Sequence, residues 1–454
     1  MASGLNLRSW IRNRKTAFTQ RVVTLRRRLT PWRSHIELLC EWVLYVLVDQ
    51  LSAFWSRDEQ LWVFGARGGD GFVDNAKYLY LWVAANDPER RPVWVTKDDE
   101  TVRALQNEGY EAYHAHSWRG RALTLRAGVV CITQGLRDVQ MGATAGATLV
   151  QLWHGLPLKT IGWDAEWPDQ PWAVQRCHSF MADEIDLVTV PSAAAIDPLS
   201  SGLGIDQDRF VVTGYPRTDV FAGEIDGTRA TAENATIERL EQQAANSPVV
   251  LYLPTYRHSG TSFVKAFDAE AVGKQLAESG ANLWIKAHPY EPVSAADSHP
   301  QIHWLSASVD PYLVLPLADV VVTDYSSVLF DFLAVDNPLV CFAYDRKAYT
   351  ANRGFYFDYE SVTPGPIVTD TEQLCAALEN AIHAADGGAD PNAVDRRRLR
   401  ERFCPTEPGK AAANVHSEIC RSLSESAATS EISEPDDAAA DAATELSTAD
   451  SQIV

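Results

Sequence analysis

The sequence predicts an α/β protein of two doubly wound, Rossmann-like domains facing one cleft, with a basic amphipathic N-terminal extension and an acidic tail. Three observations lead there. Short apolar runs alternate with amphipathic segments from Leu61 onward, a polar connector interrupts that rhythm once, and the rhythm then restarts. Buried strands alternating with helices make parallel sheets covered on both faces, and two such runs across a connector make two domains. The chain of 454 residues has room for both, at about 100–200 residues each.

In chain order, residues 1–57 form the extension. Arg8, Arg12, Arg14, Lys15, Arg21, Arg26, Arg27, Arg28 and Arg33 all precede the first acid, Glu37, with Leu5, Trp10, Ile11 and Phe18 between them. That mixture suits a helix lying on anionic lipid. The apolar run Leu38–Trp55 follows, interrupted by Glu41 and Asp49. A spanning helix needs about 20 apolar residues, so this run is expected to lie on a membrane or pack on the body. It starts too late for a signal peptide and lacks a small-residue cleavage site.

The first domain is expected over 58–222, with strands LWVFG, PVWVT, GVVCIT, TLVQLW, DLVTV and FVVTG. Residues 223–247 are the connector, polar enough for little more than one short helix. The second domain, 248–423, restarts with VVLYL, NLWIK, DVVVT and PLVCF. The tail, 424–454, has no Lys or Arg and few large apolar residues, a composition expected to be disordered.

Composition narrows the function. A net charge of -20 argues against a nucleic-acid partner, which needs a basic face. The seven cysteines show no C-x-x-C spacing, so neither a disulfide framework nor a zinc site is expected, and the chain reads as intracellular. Cys131 and Cys341 sit within apolar runs and read as core.

Three motifs carry chemistry. In QLWHGLPLKTIGWD, Gln151–Asp164, His154 and Gly155 follow a strand directly, at the carboxyl edge where open α/β sheets bind ligands. A histidine there can take a proton from an attacking hydroxyl. In NLWIKAHPYEP, Lys286 and His288 lie two apart after a strand, on one face of extended chain, and can meet an anion together. In DVVVTDYSSVLFDF, Ser326 and Ser327 open a helix, where they either cap free amides or join those amides around a diphosphate. Asp331, one turn on, is placed to take a ribose or polyol hydroxyl. GYPRTD, with Arg217, and LYLPTYR, with Pro254, Thr255 and Arg257, add cations and hydroxyls beside the cleft.

These motifs, with FGARGGDGFVDNAKYLY before them and RGFYFDYESVTPGPIV after, together resemble the CDP-glycerol glycerophosphotransferase family. Its members are the teichoic-acid polymerases and primases of Gram-positive bacteria, and the likeness runs from about Phe64 to Val415. The resemblance implies a GT-B-like fold, monotopic on the cytoplasmic face of the cell membrane. Position by position it makes His154 and His288 the essential pair. It places donor contacts on Trp153, Gly155, Leu156, Pro157, Arg217, Pro254, Thr255, Lys286, Ser326, Ser327 and Asp331. Leu156 departs from the family's usual Thr, and the surroundings of Gly409 and Lys410 are only partly kept.

The implied reaction moves glycerol phosphate from CDP-glycerol to a hydroxyl of a lipid-linked or polymeric acceptor at an anionic membrane surface, releasing CMP. Neither a metal nor a cofactor is expected. Two alternatives stay open on the sequence. One is a GT-B glycosyltransferase or another polyol- or sugar-phosphate transferase; the other is a catalytically silent membrane-surface scaffold.

Overall fold

A computed structural model describes residues 36–48, 50–51, 56–255, 257, 263, 266–286, 299–306, 308–352 and 354–433. The basic arm, His288 and the final residues 434–454 lie outside the described residues. The first sheet holds β1 (Asp58–Phe64), β2 (Arg91–Thr96), β3 (Ala112–His114), β4 (Ala127–Ile132), β5 (Thr148–Gln151), β6 (Leu187–Val190) and β7 (Phe210–Val212). Its strand order is β3-β2-β1-β4-β5-β6-β7. The second sheet holds β8 (Val249–Tyr252), β9 (Asn282–Ile285), β10 (Ile302–Trp304), β11 (Val320–Thr323), β12 (Leu339–Phe342) and β13 (Ile367–Val368), in the order β10-β9-β8-β11-β12-β13. Every pairing is parallel.

Parallel strands covered by helices on both faces must be apolar throughout, and β4 and β11 are buried at every residue. Both strand orders reverse, between β1 and β4 and between β8 and β11. Loops leaving such a switch point diverge to opposite faces and open a crevice at the carboxyl edge. The loops after β1, β4, β8 and β11 therefore border that crevice in each domain. The expected two-domain α/β fold is the one observed. Its three short edge strands β3, β10 and β13 were not anticipated, because each has too few apolar residues to make a run.

The C-terminal segment differs from expectation in two ways. The helix Ala411–Ser433, expected to belong partly to the second domain, packs on the first, where Ala412, Val415 and Ile419 join Trp62, Phe64 and Leu79 in one core. Asp219 accepts the amides of Gly409, Ala411 and Ala412 at 2.8, 3.0 and 2.9 Å, which anchors the start of that helix. The same helix runs past Ser424, where the tail was expected to begin. At the other end, residues 36–48 form a helix that packs Leu38 and Tyr45 inward, with Glu41 3.0 Å from Arg137. Among the described residues no helix is long and apolar enough to cross a membrane.

Candidate active site

The two carboxyl edges meet along a seam, and the loop after β5 sits in it. Trp153 adopts φ 52°, a left-handed conformation that costs a non-glycine residue on the order of 1–3 kcal/mol. Neighbouring hydrogen bonds hold it there. Asn75 Nδ2 donates to the carbonyls of Leu152 (3.0 Å) and Trp153 (2.9 Å), and the Trp153 amide donates to Gln151 Oε1 at 3.0 Å. The strained turn presents His154, half-buried, with its ring centroid 4.2 Å from that of Trp153.

His154 Nδ1 lies 2.9 Å from the Thr133 carbonyl. A carbonyl can only accept, so Nδ1 carries a proton, and in the neutral ring the lone pair then lies on Nε2, the form a general base requires. The Thr133 loop is fixed in turn by Asp138, whose buried carboxylate accepts the amides of Thr133 (2.7 Å), Gln134 (2.7 Å) and Gly68 (2.6 Å). Burial pushes that carboxyl above its usual range, and the amides oppose the shift.

Gly155 has φ 137°, and a Cβ there would meet Ser327 Oγ at 2.3 Å and Arg217 Nη2 at 2.9 Å. The seam is thus closed around a position that only glycine fits. Leu156 and Pro157, expected to touch the donor, are both buried, and Leu156 belongs to the core cluster.

Arg217 and Asp331, expected as separate donor contacts, are joined across the seam. Arg217 Nη2 donates to Asp331 Oδ2 at 2.6 Å, while Nη1 donates to Asp74 Oδ1 and to the His154 carbonyl, each at 2.7 Å. Tyr312 completes Asp331 with a hydroxyl at 2.6 Å. A second buried interdomain pair, Lys77 with Asp310 at 2.7 Å, lies in the same seam. Burial alone would raise the Asp310 carboxyl, but Lys77 and the Tyr312 amide hold it below the usual carboxylate range.

The second domain contributes the ends of β8, β9 and β11. Asp324 accepts the Thr255 amide at 3.0 Å and Arg257 Nη2 at 2.9 Å, and Arg257 also pairs with Asp345 at 2.7 Å, so Arg257 braces this edge. Among the described residues the buried Thr255 hydroxyl has no hydrogen-bond partner. Among the described residues Ser327 makes no side-chain capping bond, and Ser326 Oγ accepts from the Val328 amide at 3.4 Å. The helix they open is short, Val328–Asp331, before it tightens into a 3₁₀ turn. Lys286, just past β9, has its pKa lowered by burial and by the Arg67 guanidinium, with Asp310 opposing. Among the described residues no group of His, Cys, Asp or Glu is arranged to hold a metal ion.

The structure therefore brings Trp153, His154, Gly155, Arg217, Ser327 and Asp331 to one place, with Thr255, Lys286 and Ser326 on the facing edge. Asp74, Asn75, Lys77, Asp138, Asp310 and Tyr312 received no role from sequence reading, although Asp74, Asn75 and Lys77 lie within FVDNAKYLY. A polar residue that holds someone else's backbone has no signature of its own.

Two Rossmann-like sheets with a histidine, cations and hydroxyls along their shared seam make a GT-B-like fold. The chain belongs to the CDP-glycerol:poly(glycerophosphate) glycerophosphotransferase family, whose model matches residues 48–421. A teichoic acid glycerol-phosphate transferase of Staphylococcus aureus is 26% identical over 396 residues, covering 84% of this chain and 98% of that protein. A teichoic acid poly(glycerol phosphate) polymerase of Staphylococcus epidermidis is 26% identical over 387 residues, and the match covers 80% of this chain but only 51% of that longer protein. The solved structure of the wall teichoic acid polymerase TagF superposes with a TM-score of 0.68, covering 89% of this chain and 99% of the chain in that structure. At 21% identity that likeness shows the fold alone.

Proposed function

We propose that the chain transfers glycerol phosphate from CDP-glycerol to a hydroxyl of a membrane-associated acceptor, releasing CMP, in the synthesis of a cell-envelope polymer. The observation that supports this reading most is the His154–Thr133 bond. It puts a base-competent Nε2 on a strained turn in the seam between the two domains. In this reading the acceptor oxygen attacks the glycerol-bearing phosphorus while its proton passes to His154 Nε2. The new P–O bond forms as the bond to the CMP phosphate breaks, and the leaving CMP carries away the electron pair.

Lys286, Ser326 and Ser327 offset the charge on the phosphates, with Thr255 beside them. Gly155 lets Ser327 and Arg217 approach the turn closely, and Trp153 and Pro157 shape the turn that carries the base. Arg217 and Asp331 hold the two domains in register around it. Pro254 ends β8 so that Thr255 faces the same edge. His288 is assigned as partner of His154 on the sequence motif. The reaction takes place at the cytoplasmic face of an anionic membrane, which the exposed stripe of the 36–48 helix and the basic arm suit.

The test is to incubate the purified protein and membranes with labelled CDP-glycerol and follow both CMP and the label. Transfer into lipid or polymer with CMP release is expected. Release of UDP from a nucleotide sugar, with CDP-glycerol untouched, would overturn the assignment.

A further inference from the structure

A cavity of about 530 Å³ lies in the first domain and reaches the loop that holds His154. Ile132, Leu136, Met181, Ile185, Leu203 and Ile205 supply its apolar wall, and Leu38 of the 36–48 helix forms part of its edge. Its size falls within the roughly 300–1,000 Å³ of small-molecule sites.

Most polar groups on its wall are already engaged by protein. Asp138 takes three loop amides, Lys97 Nζ donates to the carbonyls of Gly68 and Arg137, Gln151 Oε1 takes the Trp153 amide, and Arg137 pairs with Glu41. Trp167 and His178 stack on one another at 4.0 Å. A site for a sugar or nucleotide needs polar groups left over to fix its orientation, and this wall offers mainly hydrocarbon.

The helix at its edge points to the source of a ligand. Ile36, Val43, Leu44, Leu47 and Leu51 are 46–58% exposed and recur at helical spacing on the outer side, while Leu38 and Tyr45 turn inward. Trp172, 75% exposed, begins the helix whose Met181 and Ala182 line the same cavity. An outward apolar stripe and an exposed tryptophan beside a hydrocarbon-lined cavity suit an element resting on lipid. At the opposite end Gln134 and Gln151 line the cavity, next in sequence to Thr133, which holds His154, and to the Leu152–Trp153 turn.

We propose that this cavity is a subsite for the hydrocarbon chain of the membrane-anchored acceptor, entering past Leu38 with its head group directed toward His154. This rests on the transferase reading for the acceptor's role, but chain binding can be measured without turnover.

The probe is a prenyl phosphate carrying a nitroxide spin label on its chain, below its micelle concentration. Quenching of tryptophan fluorescence in the full-length protein reports entry, since Trp167 lines the cavity. The cavity-filling pair Ala182→Leu with Ile205→Phe should keep or raise thermal stability, because it fills an existing void. It should weaken quenching at least about tenfold and raise KM for a lipid-linked acceptor by a similar factor. CDP-glycerol binding and transfer to a water-soluble, chain-free acceptor should not change.

Equal quenching of wild type and filled variant overturns the subsite, as does no quenching of either. Quenching that appears only after residues 1–35 are deleted also overturns it, because the arm would then be the occupant. If the wild type shows cavity-dependent quenching but never releases CMP from CDP-glycerol, the transferase reading fails and the chain subsite stands.

Discussion

Arg217 and Gly155 meet at one point of the seam, and both leave little room for change. A Cβ on Gly155 would collide with Ser327 Oγ at 2.3 Å, and φ 137° strains any other residue. Gly155→Ala should cost roughly 1–3 kcal/mol by overpacking and lower turnover further by displacing His154; thermal melts and kcat on the same preparation would show it. A histidine acting as base contributes about 10²–10⁴-fold. His154→Ala and His288→Ala should therefore each lose at least about a hundredfold in single-turnover rate while remaining folded. The double variant should be little worse than the poorer single one, because groups working as a unit do not add. A near-normal rate for His154→Ala would remove the base from the mechanism.

At the scale of elements, the helix Asp74–Asn86 couples the two domains. Its Asn75 clamps the turn before His154 and its Lys77 reaches Asp310. Removing one partner of a buried ion pair leaves a charge uncompensated, at about 3–5 kcal/mol. Asp331→Ala should thus destabilise strongly, whereas replacing Arg217 and Asp331 together by apolar residues should recover much of the loss; denaturant melts decide between these outcomes.

Asp310 gives the seam a pH dependence. Its folded pKa is depressed below the unfolded value of about 3.9. Its stabilisation is therefore complete above that value and is lost as the pH falls through the folded pKa. The difference in Tm between wild type and Asp310→Asn should stay constant above about pH 5 and shrink below about pH 4. A difference that grew toward acid would refute the pairing.

On the scale of the whole molecule, the chain returns to its first domain at its end. Ending the chain at Lys410 removes Val415 and Ile419 from the core around Trp62 and Phe64. Hydrogen exchange should then rise in β1 and β2 before it rises in β8 and β11, and the reverse order would contradict the packing. Near the other terminus, the 36–48 helix leaves Ile36, Val43, Leu44 and Leu47 exposed. Deleting residues 1–55 should release the protein from anionic vesicles and leave CDP-glycerol binding intact, and the intact protein's binding should weaken with salt. Unchanged co-sedimentation after the deletion would exclude the arm and helix as the membrane contact.

What the sequence determined by itself is what depends on local pattern. Ten strands were legible because a strand buried on both faces must be an apolar run, as VVCIT and VVVT are. The carboxyl-edge positions of His154, Lys286 and the paired serines followed directly, since a motif abutting a strand inherits that strand's end. The short edge strands β3, β10 and β13 were not legible, because AYH, IHW and IV carry too few consecutive apolar residues to make a run, whereas the equally short edge strand β7, FVV, does. Only the tertiary structure decided that Arg217 and Asp331 hold each other, that Leu156 is core, and that the last helix crosses back to the first domain. Those outcomes depend on which distant groups come within 3 Å when two sheets close on each other. A buried charge is satisfied by whichever opposite charge the fold delivers, and one chain of residues read in order carries no record of that distance.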